Sequence, residues 1–497
     1  MANNLEDKIE DVELNLETVK KRAVKGVVIL TGRTFFLNLV SFFATALLTF
    51  FLEPSQFGIF WIVSALVNFL SYFSDIGLAA ALIQKKDKIR QEDLSTTFLV
   101  QQGLVLIILL TIFLANPILV RFYHLDFEGK LLLYVLGISL FLSSLKTIPS
   151  VLLERDLEFG KLVIPQILEN LTYNLLAVFL AWRGFGVRSF TYSVLARGIV
   201  GLLAIYVLKP WRPKIYFSKE SFKNLIGFGL PYQVNTLLAT VKDDGLNAVL
   251  GGILGGSGFG FLAWAQKWGQ APLRFFMDQV IKVTFPAFSR MQDDKEQLRS
   301  SLERSIFFIS LFVFPSLFGL LALAPILVQV IPKYLKWQPA IIPLYLIGVN
   351  TLFAAVSTQL TNLLNAVGKI KITFKLMVMW TVLSWLIIPF LSIKFGVNGA
   401  ALGYLILGLS SVVVFIIVRN FLPFSFSRSF LKPLLASLLM FLVLVIFKSY
   451  LPVKFVSVLI LILLGVLVYF VSIYILVGSL FKEDVKKSFE IFFGKRK

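Results

Sequence analysis

Apolar runs of about 20 residues follow one another along almost the whole chain, each closed by Pro, Gly, Lys or Arg. That is the length a helix rising 1.5 Å per residue needs to cross roughly 30 Å of hydrocarbon. The ten-residue alternation of a membrane β-barrel is not the pattern. The runs predict spans at 27–51, 57–83, 95–115, 130–150, 161–182, 187–208, 224–250, 259–283, 304–330, 339–366, 370–392, 397–418, 431–450 and 454–477. The expected class is an all-α polytopic membrane protein of about 14 transmembrane helices. The first run is too long for a signal-peptide core and has no small-residue cleavage site after it, so it is expected to be retained.

Residues 51–60 (Phe51-Leu-Glu-Pro-Ser-Gln-Phe-Gly-Ile-Phe60) match residues 253–262 (Ile253-Leu-Gly-Gly-Ser-Gly-Phe-Gly-Phe-Leu262) at an offset of 202. Leu152-Leu153 recurs as Leu363-Leu364, and Phe185-Gly-Val187 recurs as Phe395-Gly-Val397. The common order and spacing point to an internal repeat. An even number of spans per repeat preserves orientation, which relates the halves by an axis along the membrane normal. The expected organisation is an amino-terminal segment (1–26), a six-helix bundle (27–208), a linker (209–223), a second six-helix bundle in parallel pseudo-repeat (224–418), an extra C-terminal helix pair (419–477) and a basic tail (478–497). Residues 1–26 turn from acidic (Glu6, Asp7, Glu10, Asp11) to basic (Lys20, Lys21, Arg22, Lys25), which suits a helix on the inner membrane surface or a solvated tail.

Composition agrees: the 497 residues are 57% hydrophobic and 15% charged, with a mean hydropathy of +0.84. The net charge of +20 does not mark a nucleic-acid partner, because Lys and Arg cluster at the ends of apolar runs. Most of them fall in loops on the amino-terminal side, so both termini are expected in the cytoplasm. The chain has no Cys and one residue of His, His124, so disulfides and Cys-ligated metals are excluded. No cofactor, metal site or catalytic residue is expected. The outer loops are short, the longest being Asn116 to Gly129, which leaves no room for an outer enzymatic domain, and no phosphate-cradling Gly-rich loop is present. Transport energy must then come from an ion or substrate gradient.

Intramembrane charge is the functional signal that remains, since Lys, Arg or Asp at a helix centre costs about 2.5–3.5 kcal/mol on insertion scales. In the eighth span Gln266, Lys267, Gln270, Arg274, Asp278 and Lys282 share one helical face, which is expected to meet water or charged partners. In the seventh, Thr236, Thr240, Asp243 and Asn247 share a face, with Lys242 and Asp244 beside them. Counting outward from the hairpin turns predicts ion pairs between Asp243 or Asp244 and Lys267, and between Arg33 and Asp75. Thr34, Asn38, Ser41, Thr45 and Thr49 on the first span, and Asn350, Thr358, Thr361 and Asn365 on the tenth, suit either a lumen for sugar hydroxyls or ordinary helix packing. Lys146, Glu169 and Arg197 are isolated intramembrane charges.

Four segments carry a family resemblance. They are Leu52-Glu-Pro-Ser-Gln-Phe-Gly58 with Asp75-Ile-Gly-Leu78, Leu152-Leu-Glu-Arg-Asp-Leu-Glu-Phe159, Lys242-Asp243 ahead of Leu254-Gly255, and Val283-Thr-Phe-Pro-Ala-Phe-Ser-Arg290. From Arg33 to about Arg419 the chain resembles the oligosaccharide flippases of the multidrug, oligosaccharidyl-lipid and polysaccharide exporter superfamily. The resemblance implies two bundles that rock by alternating access around a cationic cavity and move polyprenyl-diphosphate-linked oligosaccharide across the cytoplasmic (inner) membrane for surface polysaccharide or lipopolysaccharide. It implies Lys267, Arg274, Gln270, Lys242, Arg197 and Arg33 as substrate-cavity candidates, and Asp75, Asp243, Asp244 and Asp278 as ion-coupling candidates. The partners implied are the lipid-linked oligosaccharide, membrane lipid and the polysaccharide polymerase machinery. A lipid II-type flippase or a cation-coupled multidrug exporter is the alternative within transport; a membrane glycosyltransferase or ligase is the alternative class, without its usual large outer loop.

Overall fold

The computed structural model describes residues 16–85 and 87–478. The acidic half of the expected surface helix (1–15) and the basic tail beyond 478 lie outside the described residues. Among those described the secondary structure is helical, without strands. Among the described residues twelve stretches are long and apolar enough to cross a membrane, against the fourteen spans expected.

The difference from fourteen lies in two long stretches, Thr236–Arg290 (55 residues) and Ile370–Phe421 (52 residues). Each carries one glycine with non-helical backbone: Gly255 at φ 65, ψ 179 and Gly396 at φ 60, ψ −138. In the second stretch Trp380 Nε1 donates to Ser410 Oγ at 3.1 Å, although 30 residues of straight helix would hold them about 45 Å apart. That stretch is therefore a hairpin reversing at Gly396, where the expected eleventh and twelfth spans meet. No loop marks the turn because a glycine in this left-handed region reverses the backbone within a residue or two.

Contacts divide the chain at Gly256 and Ser257 into two compact units. The first holds α1 (Leu16–Phe51), α2 (Pro54–Ser71), α3 (Leu78–Gln84), α4 (Gln91–Tyr123), α5 (Phe127–Leu145), α6 (Thr147–Arg155), α7 (Phe159–Trp182), α8 (Arg188–Leu208) and α9 (Lys219–Thr240). Within it α1 packs on α7, α7 on α8, α8 on α5, α5 on α2 and α3 on α9. Phe35, Phe36, Phe43 and Leu47 leave the outer face of α1 apolar and exposed, as a lipid-facing surface should be.

Two expected spans are broken. The span 57–83 stops at Ser71, passes through a 3-10 turn (Tyr72–Ser74) and resumes at Leu78, because Gly77 sits at φ 82 and cannot continue a helix. The span 130–150 is divided at Lys146 into α5 and α6. Hydropathy windows do not register such breaks, since the residues on both sides stay apolar. The expected outer loop 116–129 is also shorter than read: α4 runs on through Pro117 to Tyr123 and ends at His124, in the left-handed conformation.

The second unit contains α10 (Leu246–Arg290) from Ser257 onward, α11 (Lys295–Val330), α12 (Ile341–Ala366), α13 (Ile370–Leu409), α14 (Val412–Phe421), α15 (Lys432–Tyr450) and α16 (Phe455–Val477). Here α11 packs on α12 and α15, α12 on α13, and α15 on α16, with Tyr469 Oη of α16 donating to the Leu311 carbonyl at 2.8 Å. The last helix pair thus packs against the second unit through α11.

Candidate functional site

In the second unit α10 carries both packed and exposed residues. Trp264 stacks on Trp337 with ring centroids 5.6 Å apart. Gln359 Nε2 reaches the Met277 sulfur at 3.0 Å, Asn362 Nδ2 donates to Thr284 Oγ1 at 2.9 Å, and Ser289 Oγ donates to the Ala366 carbonyl at 3.1 Å. These contacts fasten α10 to its neighbours. Arg274, Asp278 and Lys282 remain exposed and Lys267 is partly covered. Arg274 Nη2 donates to Gln270 Oε1 at 3.1 Å, one turn back. That bond holds the guanidinium along the helix with most of its five donors still available.

In the first unit a polar seam joins α1 to α7. Arg33 donates to Gln166, and to Thr34 Oγ1 at 3.2 Å; Asn170 Nδ2 donates to Ser41 Oγ at 3.3 Å. The expected pair between Arg33 and Asp75 is not formed. Asp75 lies in the break after α2 and its Oδ1 accepts the Leu78 N–H at 2.9 Å, so counting along a straight helix misplaced it. The hydroxyls of Thr34, Thr45 and Thr49 donate to Leu30, Ser41 and Ala46 carbonyls of their own helix at 2.8, 2.7 and 2.9 Å, and Thr358 of α12 does the same to Ala354 at 2.7 Å. Those donors are used locally, which favours the packing account of both small-polar faces. Lys242 Nζ lies 2.8 Å from Asp243 Oδ1 inside a π-helical turn, Val241–Gly245, that interrupts the seventh span. A turn of this kind displaces side chains from the i, i+4 register on which the sequence reading relied.

The charges that sequence left isolated are brought together. Lys146 Nζ lies 2.5 Å from Glu169 Oε1 of α7, and Arg197 Nε of α8 lies 3.8 Å from Glu169 Oε2. The signal was available: about Phe185, the turn centre between these helices, Glu169 lies 16 residues before and Arg197 12 after, a depth difference of only about 6 Å.

A second ionic cluster gathers around Asp93 in the first unit, and sequence reading missed it. Asp93, 2% exposed, accepts from Lys85 Nζ at 2.6 Å, from the Arg90 N–H at 3.0 Å and from Ser221 Oγ at 2.7 Å. The expected linker 209–223 is strapped down here. Trp211 is buried among Leu82, Phe98, Ile148 and Leu225, Lys209 pairs with Asp156 at 2.7 Å, and the Ser218 N–H donates to Thr96 Oγ1 at 2.9 Å. A cavity of about 720 Å³ opens alongside. Its lining mixes Lys85, Lys88 and Arg90 with Asp87, Glu92 and Glu220, so it offers no field of one sign. Asp93→Asn is expected to cost about 2–3 kcal/mol, less than the roughly 3–5 of a fully buried pair because Lys85 is 23% exposed. Thermal unfolding in detergent measures it.

Among the described residues no group of three His, Cys, Asp or Glu is placed to hold a metal ion.

The fold is shared with solved structures. The inward closed lipid II flippase MurJ superposes with a TM-score of 0.74 at 18% identity, covering 91% of this chain and all of that one. An inward-facing multidrug resistance MATE family transporter of the MOP superfamily superposes at 0.58 and 18%, covering 80% of this chain and 98% of that one. In sequence, the lipopolysaccharide biosynthesis protein WzxC of Escherichia coli K12 is 24% identical over 389 residues, 77% of this chain and 78% of that protein. The succinoglycan biosynthesis transport protein ExoT of Rhizobium meliloti 1021 is 25% identical over 311 residues, 63% of this chain and 62% of that protein. Residues 47–341, more than half of the sequence, match a family described as polysaccharide biosynthesis proteins, and with the helical fold and its intramembrane charges already in view, the chain belongs to that family.

Proposed function

We propose that the chain flips polyprenyl-diphosphate-linked oligosaccharide from the inner to the outer leaflet of the cytoplasmic membrane, by alternating access and without covalent chemistry. One observation carries the reading: α10 leaves Arg274 and Lys282 exposed and Lys267 partly covered beside Gln270, inside a stretch apolar enough to cross a bilayer. Charges in that position are tolerated when they meet water or an anionic group. A diphosphate attached to hydrophilic sugar supplies the anion, and its polyprenyl tail stays in lipid. The names of WzxC and ExoT, which concern lipopolysaccharide and succinoglycan, support the same substrate class.

Asp278, one turn from Arg274 and exposed, is the carboxylate best placed for ion coupling, with Asp75, Asp243 and Asp244 as further candidates. The loops rich in Lys and Arg face the cytoplasm in this reading, and polymerase machinery receives the product outside. Purified protein in liposomes tests the substrate. Lipid-linked oligosaccharide is expected to cross between leaflets while a cationic drug does not accumulate; movement of the drug alone would reverse the assignment, and equal movement of lipid II would widen it.

A further inference from the structure

Two cations share one carboxylate in the first unit, and they share it unequally. Lys146 holds Glu169 at 2.5 Å, whereas Arg197 stands off at 3.8 Å, beyond hydrogen-bond length. The Lys146 and Glu169 side chains are 15% and 14% exposed, the Arg197 side chain 52%. Among the described residues the Arg197 guanidinium makes no hydrogen bond, although it carries five N–H donors in a planar fork.

The surroundings fix Glu169 more firmly than Arg197. A Cβ at Gly201, one turn after Arg197, would overlap the Glu169 carboxyl group, so the carboxylate lies in the space that this glycine leaves on α8. Lys146 sits at the break between α5 and α6, and Tyr206 Oη pins the preceding Leu145 carbonyl at 3.1 Å. Glu169 and Arg197 each lie near the middle of their helices. A half-exposed, unsatisfied Arg at that depth must face water or an anion, not hydrocarbon. The three formal charges leave one positive in surplus.

We propose that Arg197 receives the diphosphate of a lipid-linked substrate in the first unit, with Glu169 and Lys146 as positioning residues that keep its fork presented and limit its grip. This rests on the proposed function only for the choice of substrate. Guanidinium matches a phosphate bidentately, which a Lys cannot do. Glu169 competes weakly for the same guanidinium, so the headgroup binds without being trapped.

The proposal predicts opposite signs. Measured as polyprenyl diphosphate affinity of protein in nanodiscs, Arg197→Ala weakens binding roughly tenfold or more. Arg197→Lys recovers only part of that loss. Glu169→Gln tightens binding several-fold and slows flipping, because the competing charge is gone; a purely structural carboxylate would give weaker binding instead. The unmutated protein gives a check that does not depend on variant folding. Phenylglyoxal modification of Arg197, read by mass spectrometry, is slowed by polyprenyl diphosphate and not by polyprenol of the same length. Protection by phosphatidylglycerol as well supports the anion site and assigns its occupancy to membrane lipid. Labelling indifferent to polyprenyl diphosphate, or Glu169→Gln weakening binding in a folded protein, overturns the proposal. Flipping without protection would leave the function standing and sink this site; protection without flipping would do the reverse.

Discussion

Replacing Lys267 and Arg274 together by alanine is expected to abolish flipping of lipid-linked oligosaccharide in reconstituted liposomes while leaving the protein folded. Hydrogen bonds to charged groups contribute about 1.5–3 kcal/mol each, so losing two cations that hold a diphosphate slows transport on the order of a hundredfold or more. Folding should survive because α10 is also held to its neighbours by contacts of other residues, Trp264, Met277, Thr284 and Ser289. Removing Arg274 loses one hydrogen bond, to Gln270. The single variants separate the roles: Arg274→Lys keeps the charge without the fork and should retain a fraction of the rate. Flipping at the unmutated rate in a folded double variant would remove α10 from the substrate path.

The largest expected loss of stability is at Gly77. Its backbone is left-handed, at φ 82, and a Cβ there would overlap the Gly229 carbonyl on α9. The reverse holds too, since a Cβ at Gly229 would lie 2.8 Å from the Gly77 carbonyl carbon. Alanine at position 77 meets two penalties: about 1–2 kcal/mol for the left-handed backbone and about 1–3 kcal/mol for overpacking against main chain that cannot rotate away. Gly77→Ala should therefore lower the unfolding midpoint by several degrees. Gly229→Ala, which meets only the second penalty, should lower it less. Equal midpoints for Gly77→Ala and the parent would mean that the close approach of α3 and α9 is not maintained in solution. Beside this crossing Tyr72 and Gln233 bond each other reciprocally, with Gln233 Nε2 on the Tyr72 carbonyl at 2.7 Å, so the damage should spread along the break after α2.

What could be read from the chain follows the physics of each signal. Hydropathy marks where a helix can enter hydrocarbon, and it placed the apolar stretches well. It is insensitive to backbone direction, so the breaks at Asp75 and Lys146 and the π turn at Val241–Gly245 were invisible, and the Arg33 to Asp75 pairing built on straight helices failed with them. Helical spacing detects polar residues on one helix, which is why the α10 stripe from Lys267 to Lys282 stood out. It does not detect a site assembled from two helices and a break between two others, with one charge on each. Lys146, Glu169 and Arg197 were therefore seen but not joined. The Asp93 cluster was missed for a related reason: Lys85, Arg90 and Ser221 look like ordinary solvated positions until they gather on one carboxylate.

The strapped linker has a mechanical consequence. Residues 209–221 are bound by a buried indole, an ion pair and two hydrogen bonds to the helices of their own unit, so they hold no slack to pay out. Just before the chain leaves that unit, Gly255 adopts backbone angles essentially reserved for glycine. A side chain at position 255 would force the backbone off those angles, so Gly255→Ala is expected to slow the transport cycle while leaving headgroup capture intact.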